Sequence, residues 1–296
     1  MGRRNFRIEI SVAGGLERGA ETHETDARNE RTEPSGGRTI SGIDPDAPLA
    51  GRTAIVTGGG TGTGEAIALL LAARGARVTV TGRRAGPLDA VAARHERIEA
   101  AMCDATDAEA TAALVERVSP DIAVANAGIA RSAPFERTDA DDWRAMFETN
   151  VMGAQALFAA CLAGMRRRGS GRCIAIASTA ALRGYLYVAA YCATKHAVLG
   201  MVRALALELA GKSPGVTANA VCPGYTDTPM LQGTIENVMA RTGRTRAEAE
   251  APILAHNPTG RFVSVDEVAD AVAWLASPGA SAVNGQAISV SGGETM

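Results

Sequence analysis

Lysine is nearly absent from this chain: Lys195 and Lys212 are the only two among 296 residues, and arginine supplies the remaining positive charge. Aromatic residues are also scarce, at 4%. The five cysteines, Cys103, Cys161, Cys173, Cys192 and Cys222, contain no Cys-x-x-Cys pair and leave an odd thiol after any pairing. That spacing argues against a disulfide framework and predicts reduced, buried thiols in a cytoplasmic protein. The four histidines are scattered without metal-ligand spacing, so no metal site is expected. No run approaches the ~18 apolar residues of a membrane span, and no apolar segment follows Arg3 and Arg4 as an export signal requires. A formal net charge of -2 offers no general attraction for nucleic acid or an anionic membrane. What is present is 46% hydrophobic residues, ample for one large domain, with a small molecule as the default partner.

Residues 1–50 are rich in Gly, Arg, Glu and Thr and lose periodic apolar character after Ile10. They read as a flexible extension, either dispensable or upstream of the true translation start, more readily than as a targeting segment. From Gly51 onward, short apolar runs alternate with longer helical patterns: RTAIVT, ARVTVT, RIEAAMC, DIAVAN, RCIAIAS, VTANAVC and QAISVSGG. Few charges interrupt these runs, as expected of strands covered on both faces. The alternation predicts one α/β domain over 51–296, a doubly wound parallel sheet of Rossmann type with helices on both sides. Near its end, Val265, Val268, Ala269, Val272 and Leu275 fall at helical spacing.

Directly after the first strand comes Thr57-Gly58-Gly59-Gly60-Thr61-Gly62-Thr63-Gly64, followed by the helical run EAIALLLAARG. Strand, glycine-rich turn and helix N-terminus in that order suit a pyrophosphate: glycines let the backbone approach, and the helix end meets the charge. There is no Gly-Lys-Ser/Thr, which argues against a nucleoside triphosphate. The second strand ends at Gly82-Arg83-Arg84, where an NAD-specific site commonly presents an acid to the ribose. Arg83 and Arg84 suit a 2′-phosphate instead, so NADP is preferred over NAD.

Tyr191 and Lys195 stand four apart in YCATK. With so few tyrosines and lysines, roughly 0.03 such pairs are expected by chance. On a helix the two side chains share a face, and an ammonium beside a phenol is expected to lower the phenol's pKa toward neutrality. The pair is therefore a candidate general acid/base.

With these residues identified, the chain from about Gly51 to the C-terminus resembles the short-chain dehydrogenase/reductase family. TGGGTGTG is similar to the family's cofactor loop, and Ala125-Asn126-Ala127-Gly128 to its Asn-Ala-Gly signature. Asn150, Ser178, Tyr191 and Lys195 match its catalytic tetrad, with Ser178 thirteen residues before Tyr191. The resemblance implies that Tyr191 protonates a carbonyl oxygen while nicotinamide supplies hydride. Ser178 would hydrogen-bond the alkoxide, Lys195 would hold the ribose and Asn150 would position a relay water. It also implies cofactor contacts from Gly58, Thr61, Gly62, Gly64, Gly128 and the segment Pro223-Gly224 with Thr226 and Thr228. Asp104 would contact adenine, although it also reads as a helix N-cap. Asn126 reads equally as a tie between strands. A homotetramer or homodimer is implied as well.

The Tyr-to-Lys spacing is narrower than in related enoyl reductases, so reduction of a carbonyl is implied. ANAVCPGYTDTPM is similar to β-ketoacyl reductases, which suggests a 3-oxoacyl thioester. A sugar, polyol, steroid or cyclic alcohol stays open, and so does a non-catalytic nucleotide sensor. Residues 229–258 read as a substrate lid, in which Met230, Leu231, Val238 and Met239 either line an acyl pocket or pack onto the domain. Leu182 to Val188 would form the other wall, with Tyr185 and Tyr187 as substrate contacts. Arg166-Arg167-Arg168 reads as the solvated C-terminal end of a helix starting near Asn150.

Overall fold

The computed structural model describes residues 47–296. The flexible extension expected at the N-terminus lies outside these residues up to position 46. Leu49, inside the span assigned to that extension, is buried in the core.

Strand and helix alternate through the first half: β1 (Thr53–Thr57), α1 (Gly62–Ala73), β2 (Arg77–Gly82), α2 (Ala85–Ala92), β3 (Ile98–Met102), α3 (Ala108–Val118) and β4 (Ile122–Ala125). The second half runs through α4 (Ala140–Phe147), α5 (Gly153–Arg168), β5 (Gly171–Ile176), α6 (Ala189–Lys212) and β6 (Val216–Pro223). Then come α7 (Pro229–Thr242), α8 (Arg246–Leu254), α9 (Val265–Ala276) and β7 (Ala287–Val290). Among the described residues the strands form one parallel sheet in the order β3-β2-β1-β4-β5-β6-β7. The order reverses direction between β1 and β4, where Val56 pairs with Val124.

The strand pleat divides the core in two. Ala54 and Val56 of β1, with Ile122 and Val124 of β4, pack under α1 and α9 beside Ile67, Leu71, Val268 and Val272. Their neighbours Ile55, Ala123 and Ala125 turn to the opposite face, against Leu157 and Phe158 of α5 and Val198 and Val202 of α6. A period of two along strands buried on both sides explains why these runs are apolar throughout. The edge strands depart from that expectation. In β3, Glu99, Ala100 and Met102 are exposed, because a terminal strand has a partner on one side only.

The helix expected to start near Asn150 begins ten residues earlier. Asp139 caps α4 by accepting from the Asp142 backbone N–H, and a π-helical turn, Glu148–Met152, joins α4 to α5. Asn150 lies inside that turn. The helix ends at Gly169, whose φ of +66° suits a left-handed C-cap. Arg168 there is exposed to solvent and also donates to Asp121, Ser119 and the Pro120 carbonyl, fastening the helix end to the segment before β4.

Candidate active site

Every sequence-predicted cofactor or catalytic residue outside a helix lies at or just beyond the carboxyl end of a strand. Gly58 follows β1, Arg83 follows β2, Asp104 follows β3, Asn126 follows β4, Ser178 follows β5 and Gly224 follows β6. In an open α/β sheet that edge, at the point of strand-order reversal, is where a dinucleotide cleft forms.

The glycine loop is shaped by contacts that a side chain would block. Gly58 and Gly62 have φ of +64° and +57°. A Cβ on Gly64 would come within 2.3 Å of the Gly58 carbonyl oxygen and 2.5 Å of Asn126 Nδ2. Asn126 Nδ2 donates to the carbonyls of Thr57 and Gly58, at 2.9 and 3.1 Å. Thr57 Oγ1 in turn accepts from the backbone N–H groups of Asn126 and Ala127. Asn126 is thus a strand-to-strand tie that fixes the loop. The open cleft beside it is lined by Gly58, Thr61, Arg83, Arg84, Asp104 and Gly128. Sequence reasoning missed Gly60, Cys103 and Thr149 on the same wall. Arg83 and Arg84 are exposed there, and no acid replaces them. Asp104 is not a helix cap: its Oδ1 accepts from the backbone and hydroxyl of Thr106, while Asp107 caps α3.

These features fit a nicotinamide dinucleotide: a glycine-rich cradle, a helix N-terminus, and exposed guanidinium groups at the end of β2. On the far side, Gly62 meets the turn after β6. A Cβ there would lie 3.4 Å from Thr228 and Pro229. Thr228 caps α7, and Thr226 donates to the Gly224 carbonyl, so Pro223 to Thr228 folds over the glycine loop.

The tetrad converges from three elements: the π turn, the end of β5 and α6. Asn150 is buried; its Oδ1 accepts from the Ile129 N–H at 2.8 Å. Its Nδ2 donates to the Ile129 carbonyl and to Thr194 Oγ1, at 2.9 and 3.0 Å. The π turn swings the amide into reach of both, the kind of local register change often found at functional sites. A Cβ on Gly128 would lie 3.2 Å from Asn150 Oδ1 and 3.7 Å from Lys195 Nζ, so a side chain there would crowd the Asn150 amide. Ser178 Oγ accepts from the Ala180 N–H at 3.1 Å, and its hydroxyl acts to lower the pKa of the Tyr191 phenol.

Tyr191 and Lys195 share a face of α6, with Lys195 Nζ 5.6 Å from the Tyr191 ring centroid. The expected lowering of the phenol pKa is not seen. Burial pushes Tyr191 up to about 12 despite the opposing effect of Ser178, and Lys195 Nζ donates to the Ile176 carbonyl at 2.8 Å instead of standing beside the phenol oxygen. Lys195 is itself lowered to about 8 by burial. Both shifts follow from the same dry setting, which disfavours whichever form is charged.

The short chain dehydrogenase family profile matches residues 52–238. The chain belongs to the short-chain dehydrogenase family. It is 36% identical over 256 residues to cis-4-hydroxycyclohexanecarboxylate dehydrogenase of Sinomonas cyclohexanicum, covering 83% of this chain and 98% of that one. Acetoacetyl-CoA reductase of Shinella zoogloeoides is 35% identical over 252 residues, covering 82% of this chain and 98% of the relative. Among solved structures, the actinorhodin polyketide ketoreductase crystallised with NADPH superposes with a TM-score of 0.78 at 36% identity, covering 82% and 97% of the two chains. This short-chain dehydrogenase is therefore an oxidoreductase acting on keto or alcohol groups, as ketoacyl reductases do.

Residues 229–258, where a lid is expected, fold largely as α7 and α8. They share a small core, Leu231, Ile235 and Ala249, against which Val238 and Met239 pack together with Tyr225 and Phe262. Leu231 is buried there, Val238 and Met239 are half-buried, and Met230 is exposed. Tyr187 is exposed with φ of +65°, and its carbonyl accepts from the Ala133 N–H. Tyr185 lies edge-on to Tyr225 and His256. No helix among the described residues is long and apolar enough to cross a membrane.

Proposed function

We propose that this protein is an NADPH-dependent ketone reductase in which Tyr191 is the general acid. The observation that carries this reading is the meeting of Ser178, Tyr191 and Lys195 at the strand edge beside the glycine loop. Arg83 and Arg84 would hold the 2′-phosphate, and Gly58 to Gly64 with the start of α1 would hold the pyrophosphate. When bound, the cofactor supplies hydride to the carbonyl carbon. Ser178 Oγ already accepts from Ala180, which leaves its proton for the substrate oxygen. Tyr191 holds its proton at neutral pH and releases it to that oxygen as negative charge develops. With the phenol raised to about 12, Tyr191 is in the protonated form that a general acid needs near neutrality. The Asn150 amide is committed to Ile129 and Thr194, so the residue acts by holding the loop after β4 against α6 and leaves its backbone to bind a relay water.

The likeness to acetoacetyl-CoA reductase supports a 3-oxoacyl thioester as substrate. A cyclic ketone is the second reading, favoured by the clustered Tyr185, Tyr225 and His256 rings near the turn after β6 and by the cyclohexanecarboxylate relative. Loss of reduced-nicotinamide absorbance separates the two when acetoacetyl thioester and a panel of cyclic ketones are offered with NADPH or NADH. Turnover of the thioester alone supports the first reading and turnover of the rings alone the second. Turnover with NADH only sinks the cofactor assignment. We further propose assembly of a cytoplasmic dimer or tetramer through the α4 to α6 surface, where Phe147, Met152 and Leu207 are exposed. A monomer mass by light scattering contradicts that assembly.

A further inference from the structure

Four residues past β7, outside every motif in the sequence, Glu294 is nine-tenths buried. Its Oε1 accepts a 2.5 Å hydrogen bond from the Tyr185 hydroxyl. Its Oε2 is buried without a hydrogen-bond partner among the described residues. A Cβ on Gly224 would come within 2.9 Å of that oxygen, so the carboxylate packs directly on the glycine that opens the turn after β6.

Tyr185 is the centre of a cluster drawn from separate segments of the chain. Its ring lies 6.2 Å from Tyr225 at 87° and 5.6 Å from His256 at 79°, while Tyr225 and His256 stack at 6.0 Å. The Arg183 guanidinium sits 4.9 Å over the Tyr185 ring. Tyr225 follows the Pro223-Gly224 turn, and His256 follows α8 of the lid. Edge-to-face rings fix one another's orientation only if one of them is anchored. A charge-assisted bond to a carboxylate is a strong anchor, and a buried carboxylate with an unpaired oxygen is a costly way to stabilise a fold.

We propose that Glu294 is a positioning residue for the substrate, holding Tyr185 so that the 182–188 wall, the Gly224 turn and the lid's last residues form one rigid side of the substrate slot. The proposal rests on the reductase reading of this cleft. It concerns how the carbonyl compound is seated, and Glu294 takes no part in proton transfer.

Hydrogen exchange and steady-state kinetics on Glu294→Ala, Glu294→Gln and Tyr185→Phe test it. Glutamine keeps a carbonyl acceptor for the phenol; alanine does not. Backbone exchange across 182–190 is expected to rise about fivefold in Glu294→Ala and Tyr185→Phe and to stay near wild type in Glu294→Gln. The ketone KM is expected to rise about tenfold in the first two with kcat little changed, and the double variant should be no worse than either single one. NADPH affinity should not move. Wild-type exchange in Glu294→Ala, additive losses in the double variant, or an NADPH loss matching the KM change would each overturn the proposal. Should Glu294→Ala fail to fold, Tyr185→Phe breaks the same bond without removing the carboxylate. Exchange needs no turnover, so failure to reduce any ketone counts against the reductase reading, whereas unchanged exchange counts against Glu294.

Discussion

A methyl group added to Gly64 in the glycine loop would sit 2.3 Å from a backbone oxygen, whereas one added to Gly233 in the lid helix α7 would meet nothing within 4 Å. The two glycines mark two kinds of construction. The loop is held on all sides by the sheet, by Asn126 and by α1, and its shape is fixed by the two large cores beneath it. The lid rests on a buried core of Leu231, Ile235 and Ala249. On the proposed function, cofactor binding and proton chemistry rest on the side fixed by the sheet, whereas α7 and α8 stand on a much smaller core. That division is a general arrangement for enzymes whose chemistry is shared and whose substrates differ.

The sharpest way to break the comparison is to make the same substitution on both sides. Gly64→Ala should weaken NADPH binding by about 100-fold and lower stability by about 1–3 kcal/mol, because backbone must move to admit the methyl group. Titration calorimetry showing intact binding would mean that the loop yields more easily than its contacts imply. On the rigid side again, Arg83→Ala should cost about tenfold in NADPH affinity and leave NADH unchanged. Equal losses for both cofactors would remove the 2′-phosphate assignment.

A smaller effect concerns Lys195. Its folded pKa of about 8 lies below its unfolded value, so between those two values the folded chain holds fewer protons than the unfolded one. Stability is therefore depressed below about pH 8 and recovers as pH rises through it. Above about pH 9 the thiols of Cys161 and Cys222 act in the opposite sense. Burial pushes them up to about 12 and about 11, so they stay protonated in the fold while unfolded thiols ionise. Between about pH 7.5 and 8.7, urea unfolding should show stability rising more steeply for wild type than for Lys195→Met. Parallel slopes would show that the ammonium is not desolvated. The smallest effect belongs to the lid: Gly233→Ala should raise stability by about 0.5–1 kcal/mol, the ordinary gain of alanine in a helix. A loss there would mean that α7 packs against something in solution.

The same division governed what could be read from the chain. Strands buried on both faces leave apolar runs, and positive-φ turns leave glycines, so the seven strands, the cradle and the residues on the cleft edge were all visible. Asp104 and Asp107 are both acceptable caps by type, and only the backbone decided between them. The π turn at Asn150 has no local signal, because it depends on Ile129 and Thr194, twenty-one and forty-four residues away. Lid residues such as Leu231 and Met239 have the right character for either an acyl pocket or a small core. Glu294 was invisible for the same reason: its partner Tyr185 stands 109 positions earlier. The lysine effect on Tyr191 was misjudged because i, i+4 spacing fixes a shared face but not where a flexible ammonium points, and here it points at the Ile176 carbonyl.

The central claim is that one phenol on a rigid helix delivers the proton. The direct measurement is ketone reduction by Tyr191→Phe beside its NADPH affinity. The account predicts kcat reduced about 10²–10⁴-fold with cofactor binding within a factor of about two, since the ring and its packing survive and only the acidic proton is lost. Turnover near the wild-type rate on a ketone that the wild type reduces would contradict it.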